Sequence, residues 1–266
     1  MNSLGLAIAG ICTRVSSKSR ALLERLRTRY AGFLVEPVAD SFEVQIDPDP
    51  NGIPYEYPSP DFAFTDSCIA FELPGFIGFI DPEKSARLKI TSLHAPAGAD
   101  YFLRTVYALL AYRAGGLMVH GAGIVRDGRA FLFFGPSGSG KTTVARLSTG
   151  CIALNDDLIV LTPEARAWRA HGTPFTNPTQ VSPTSRSAPL AALLRLVQSP
   201  DVYLSPLVGA PAVAELLASV PVLNGGPAPP LERCRQILQS VPSYLLHFRP
   251  EPSFWQEIDR IEAAQL

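Results

Sequence analysis

Cysteine is scarce: Cys12, Cys68, Cys151 and Cys234 lie far apart in 266 residues, with no C-x-x-C among them. That spacing signals neither a zinc site nor a disulfide framework. A charge of one sign is also missing, since 23 basic residues stand against 24 acidic ones for a net charge of −1. Composition therefore gives no electrostatic case for nucleic acid or an anionic membrane as partner. Long apolar runs are absent too. The opening stretch from Leu4 to Cys12 is shorter than a bilayer span, and it lacks a charged leader and a small-residue cleavage site. It is expected to form a first strand, and the protein to be cytoplasmic. No internal repeat is visible.

What remains is a chain 47% hydrophobic, long enough for one large domain or two small ones. Its charge is uneven. Residues 14–29 hold Arg14, Lys18, Arg20, Arg25, Arg27 and Arg29 against Glu24 alone, and residues 30–83 contain eleven acids and no base. The ordinary reading is a solvated helix followed by an acidic domain face, and the other is a docking surface for a basic partner. The 25 prolines cluster in loops at 48–60, 174–189 and 221–230. The first of these loops begins like a calcium site, D-x-D-x-N-G from Asp47. Its twelfth position is Pro58 where a bidentate glutamate is needed, so calcium is rejected.

Periodicity predicts a helix from Ser19 to Tyr30 with Leu22, Leu23, Leu26 and Tyr30 on one stripe, and a strand at Phe42–Ile46. Short strands are expected at Ile69–Leu73, Phe76–Ile80 and Arg87–Thr91, then a helix from Ala99 to Arg113. This divides the chain into a small N-terminal α+β domain over 1–95 and a nucleotide domain over 96–266. Further helices are predicted near Pro211–Val220 and Leu231–Val241, with a strand at Tyr244–Phe248. A last helix opens at Ser253-Phe-Trp-Gln256, which fits a capping box.

The chemistry is concentrated in Gly135-Pro136-Ser137-Gly138-Ser139-Gly140-Lys141-Thr142, a full G-x-x-x-x-G-K-[ST] phosphate loop followed by Thr143. An apolar run, Ala130–Phe134, precedes it as a strand, and Thr142–Leu147 follows as a helix. Glycines there let main-chain N–H groups turn toward phosphate, Lys141 reaches the terminal phosphates, and the Thr142 hydroxyl sits on magnesium. A glycine-rich surface turn is the bland alternative.

Fifteen residues after Lys141, Asp156 and Asp157 interrupt the apolar run Cys151–Leu161. Burying two adjacent carboxylates is expensive without a compensating cation, and a divalent ion is the simplest one. The alternative is a tight turn between two strands with both aspartates in water. Transport ATPases place their acidic residue much further on and carry an L-S-G-G-Q signature absent here. His120 lies between two apolar runs one hairpin before the loop. It reads either as a satisfied core histidine or as part of the site.

Taken in order, His120-Gly121, Gly135–Thr142, Asn155-Asp156-Asp157, Gly172-Thr-Pro-Phe175, Ala188-Pro-Leu190 and Val241–Phe248 with Phe254-Trp255 resemble the catalytic domain of HPr serine kinase/phosphorylase. The resemblance extends to its smaller relatives, among them the lasso-peptide kinases, and covers roughly residues 110–258. It implies an α/β, mixed α+β chain built on a phosphoenolpyruvate-carboxykinase-like kinase core. It also implies ATP and Mg²⁺ as cofactors and a hydroxyl acceptor on a peptide, small protein or metabolite. By the same resemblance Asp156 is the base, Asp157 joins Thr142 on the metal, and His120 and Lys141 flank the transferring phosphate. The division of labour between the two aspartates stays open. Asn155 departs from the small residue frequent at that position in those relatives. Gly172–Phe175 with Arg186 is read as lining the acceptor or clamping phosphate, with Arg186 equally a solvated loop charge. A homo-oligomer is compatible with the sequence. The competing class is a nucleotide-binding regulatory or scaffold module that keeps the loop and transfers nothing. Its mark would be loss of the acidic pair or of His120, and both are present.

Overall fold

In the computed structural model, the segment expected to be one strand folds back on itself. Strands β1 (Asn2–Ile8) and β2 (Ile11–Ser17) pair antiparallel through a two-residue turn at Ala9-Gly10. Both turn residues have positive φ, 53° and 78°. That is the primed geometry matching the natural twist of a hairpin, and glycine takes it without steric cost. The sequence has no Asn-Gly or Asp-Gly signal there, so nothing local marks the turn. The structure describes residues 2–51, 62–65, 68–73, 75–81, 83–91, 95–176, 182–221 and 230–264. Most of the loop at 48–60 lies outside them.

The chain forms two units, and the first comprises Met1–Arg113. After the hairpin come α1 (Arg20–Arg29), β3 (Leu34–Val35), β4 (Phe42–Asp49), β5 (Phe62–Thr65), β6 (Cys68–Leu73), β7 (Phe76–Asp81), β8 (Ser85–Thr91) and α2 (Ala95–Arg113). The strands make one sheet in the order β3-β1-β2-β4-β8-β7-β6-β5, parallel at β2–β4 and β4–β8. Helix α1 is capped by Ser19, whose hydroxyl accepts the Leu22 N–H, and it buries the predicted Leu22, Leu23 and Leu26. The two helices meet at Asp100, which accepts from Tyr30 Oη (2.6 Å), Arg29 Nε (2.7 Å) and Arg104 Nε (2.9 Å). Helix α2 packs on β7 and β8 of this sheet, although the division at residue 95 had set it with the nucleotide domain. The lopsided charge cancels in part across the outer face of the sheet, where Arg14 pairs Glu43, Lys18 pairs Asp47 and Lys89 pairs Asp49.

The second unit holds Ala114–Pro221 and Pro230–Leu266. Its elements are β9 (Leu117–Arg126), β10 (Arg129–Phe134), α3 (Lys141–Leu147), β11 (Ile152–Asn155), β12 (Leu158–Glu164), β13 (Ala167–His171), β14 (Ser187–Gln198), β15 (Tyr203–Pro206), α4 (Gly209–Leu217), α5 (Leu231–Ser240), β16 (Ser243–Phe248) and α6 (Phe254–Ala264). The sheet runs β10-β9-β12-β13-β14-β16-β15, with β11 on β9 and a further parallel pairing of β10 with β14. Two long strands make this possible by changing neighbours along their length. Strand β9 pairs β12 over Leu117–His120 and β10 over Gly121–Arg126. Strand β14 pairs β13 over Ser187–Pro189 and β10 over Leu190–Arg195.

One face of this sheet is sealed by α3 and α6 over Ile124, Phe131, Phe133, Val144, Leu194, Phe248, Phe254 and Trp255. Trp255 stands edge-on to Phe131 at 5.3 Å and donates Nε1–H to Ser148 Oγ at the end of α3. The expected capping box at Ser253 does not form. Its hydroxyl is buried without a hydrogen-bond partner, and the first turn of α6 closes instead through main-chain bonds from Trp255 N–H to Pro252 O and Gln256 N–H to Ser253 O. No disulfide links the four cysteines. Among the described residues no helix is long and apolar enough to cross a membrane.

Candidate functional site

The predicted strand, loop and helix are all present. Strand β10 ends at Phe134, the loop spans Gly135–Gly140, and α3 begins at Lys141. Strand pairing then delivers the other residues. Phe134 lies opposite Gly121 on β9, so His120 stands beside the start of the loop. His120 itself lies opposite Leu158, the first residue of β12, which brings the Asp156-Asp157 turn to the same place.

His120, Lys141, Asp156 and Asp157 therefore line one cleft of ≈ 410 Å³, together with Ser137, Gly138, Gly140, Thr142 and Thr143. Gly135, Pro136 and Ser139 are behind it. The Gly135 and Pro136 carbonyls accept from Lys141 Nζ at 2.9 and 3.0 Å, and Ser139 Oγ is buried with no hydrogen-bond partner. A larger apolar groove of ≈ 580 Å³ between α4 and α5 holds none of these groups.

The two aspartates sit on a tight turn between strands, as the alternative reading had it, yet they are not in water. Asp156 is 1% exposed and Asp157 7%. Asp157 Oδ1 is 3.1 Å from His120 Nε2, and Gly121 N–H donates to Asp157 O at 2.9 Å. Lys141 is 8% exposed. Burial draws its ammonium below the usual lysine range, and the charge of Asp157 opposes that shift. An electropositive loop and a buried acidic turn thus act on each other across the cleft.

The donor set suits a hard cation. Thr142, Asp156 and Asp157 offer oxygens only, the ligand type magnesium prefers. Among the described residues no group of three or more His, Cys, Asp or Glu side chains could hold a metal ion on its own. Magnesium at nucleotide sites normally takes one or two carboxylates and completes its shell with phosphate and water, which this pair matches.

Gly172–Phe175 does not line the cleft. Thr173 and Phe175 are fully buried, and Gly172 N–H donates to Arg186 O, so the segment is a support. Arg186 contributes its main chain there and is exposed. Two residues gained roles that the sequence did not assign. Gln198, at the end of β14, donates Nε2–H to Gly138 O at 2.8 Å and holds the top of the loop. Asn155, fully buried, bonds to the acidic turn and to residues 173–175.

No curated protein matches the chain. Among solved structures it is similar to the HPr(Ser) kinase/phosphatase from Coxiella burnetii. The identity is 15%, over 56% of this chain and 97% of that one, with a TM-score of 0.36. The family described as "SynChlorMet cassette protein ScmC" matches residues 81–226, more than half of the sequence, and the chain belongs to that family.

Proposed function

We propose that this chain is a cytoplasmic, ATP- and Mg²⁺-dependent kinase on a phosphoenolpyruvate-carboxykinase-like core, transferring the γ-phosphoryl group to a hydroxyl of a peptide, small protein or metabolite. The observation that carries the reading is the single cleft shared by the loop lysine, two buried carboxylates and a histidine. A bare phosphate-binding turn has no need of two buried aspartates, whose carboxylates are costly to bury unless a cation or a proton compensates them.

Each residue then has a task. The loop's main chain and Lys141 cradle the phosphates, with the ammonium neutralising charge on the transferring group. Thr142 and Asp157 hold magnesium, which when bound neutralises and aligns the phosphates. His120 fixes the Asp157 carboxylate through the 3.1 Å contact. Asp156 takes the acceptor's hydroxyl proton as that oxygen bonds to the γ-phosphorus. The bond to the β-phosphate oxygen breaks, ADP departs, and the phosphoester remains.

Incubation with labelled ATP and host extract, followed by mass spectrometry of the labelled product, tests the proposal. Asp156→Asn should keep nucleotide binding and lose about 10²–10⁴ in transfer rate, the usual worth of a positioned base. Lys141→Ala should lose about 10²–10³ in kcat/KM. Transfer at the wild-type rate by Asp156→Asn would remove the base assignment, and absence of any labelled product from wild type would remove the kinase.

A further inference from the structure

We infer that Asn155 is a positioning residue: its buried side chain, added to the pairing with β9, sets the aim of the Asp156–Asp157 pair toward a nucleotide-bound cation. The inference rests on the kinase reading above. Strand β11 ends at Asn155 with an irregular register on β9, and β12 starts at Leu158, so the two aspartates fall outside both ladders. From β9 the Gly121 N–H reaches Asp157 O, and on the other side a side chain takes over.

A side-chain amide has two N–H donors and an oxygen that accepts twice. Asn155 Oδ1 accepts from Asp157 N–H at 2.6 Å and Leu158 N–H at 3.2 Å. Its Nδ2 donates to Thr173 O at 2.7 Å and Phe175 O at 3.1 Å, with Thr173 Oγ1 at 3.2 Å sharing a proton. All four capacities are used, and the residue is 0% exposed. The orientation of the amide is dictated by its neighbours, because two carbonyls face one end and two N–H groups face the other.

Thr173 closes the arrangement by donating Oγ1–H to Leu158 O at 2.7 Å. On the opposite side Gly121 N–H holds Asp157 O. The Asp157 peptide is therefore clamped from both directions, and its carboxylate is left to meet His120 and the cleft. Aspartate at 155 would turn carboxylate oxygens toward two carbonyls. Alanine would release the turn. A displacement of about 1 Å in a catalytic group is enough to cost about 10² in rate.

The test compares wild type with Asn155→Ala and Thr173→Val. Mn²⁺ binding is read by electron paramagnetic resonance with a non-hydrolysable ATP analogue, so no turnover is needed. Nucleotide affinity is measured separately in EDTA. Asn155→Ala should weaken Mn²⁺ binding about 10–100-fold, as loss of a ligand-orienting partner does. Metal-free nucleotide affinity should stay within about twofold, since the loop is untouched. Thr173→Val, which removes one hydroxyl, should shift Mn²⁺ binding in the same direction by a smaller factor. It decides the matter if Asn155→Ala does not fold. Wild-type Mn²⁺ affinity in both folded variants would overturn the proposal, as would an equal loss of metal-free nucleotide affinity. A normal Mn²⁺ response without any phosphoryl transfer by wild type would sink the kinase reading alone.

Discussion

His120 Nε2 lies 3.1 Å from Asp157 Oδ1, and strand pairing brings the two together: Leu158, one residue after Asp157, is opposite His120 in the β9–β12 ladder. A contact imposed by ladder register is hard to lose through side-chain motion. The histidine is 42% exposed at its side chain while the carboxylate is 10% exposed, so the imidazole stands between solvent and a buried acid. That is the placement of a partner that orients a metal ligand from outside.

His120→Ala should therefore raise the Mg²⁺ concentration needed for half-maximal activity about 10–100-fold, with nucleotide affinity in EDTA little changed. His120→Asn should recover part of the loss where its amide still reaches Asp157. Magnesium titrations of the three proteins decide it. Equal half-saturation in all three would make His120 a bystander.

The sequence made the loop legible because its signals are local: glycines, a lysine and a threonine at fixed offsets, with an apolar run before and a helix after. The same holds for α1, where Ser19 caps and Leu22, Leu23 and Leu26 recur with helical spacing. What stayed hidden depends on partners far along the chain. Asn155 looks like any polar residue at a strand end until Thr173 and Phe175, 18 and 20 residues on, supply its acceptors. Gln198 reaches Gly138 across 60 residues, from a strand that follows a proline-rich stretch and carries Pro189 itself. The Ser253 motif failed in the other direction. Its local pattern was right, and the hydroxyl nonetheless became buried without using it.

Gly140 tests how tightly the loop is built. Its φ is +108°, and a Cβ there would come within 2.6 Å of Phe248 Cζ, a ring 3% exposed and packed edge-on to Phe254. Gly140→Ala should cost about 2–5 kcal/mol, combining left-handed strain of about 1–2 with overpacking of about 1–3. Phe248→Leu in the same chain relieves the clash but not the strain. A double-mutant cycle by denaturant unfolding should give a coupling of about 1–2 kcal/mol. Simple additivity would place the loop further from Phe248 than described.

His171, at the end of β13, supplies a pH test that does not involve the cleft. Burial, with the nearby Arg169 adding to it, pulls its imidazole from 6.5 down to about 4, and Thr162 Oγ1 is hydrogen-bonded to its Nε2 at 2.8 Å. The folded state thus keeps His171 neutral where the unfolded chain already binds a proton. Stability must fall as pH drops from about 6.5 toward 4, and this contribution levels off below the folded value. Up to one extra proton is taken up on unfolding across that window. Carboxylates titrate in the lower part of the same range, so the comparison is with His171→Gln, which keeps a hydrogen-bonding side chain and does not titrate. Melting temperatures measured from pH 7 to pH 4 should fall more steeply for wild type than for the variant, with the curves diverging below about pH 6.5. Parallel curves would mean that His171 accepts its proton as readily in the folded protein as in the unfolded chain.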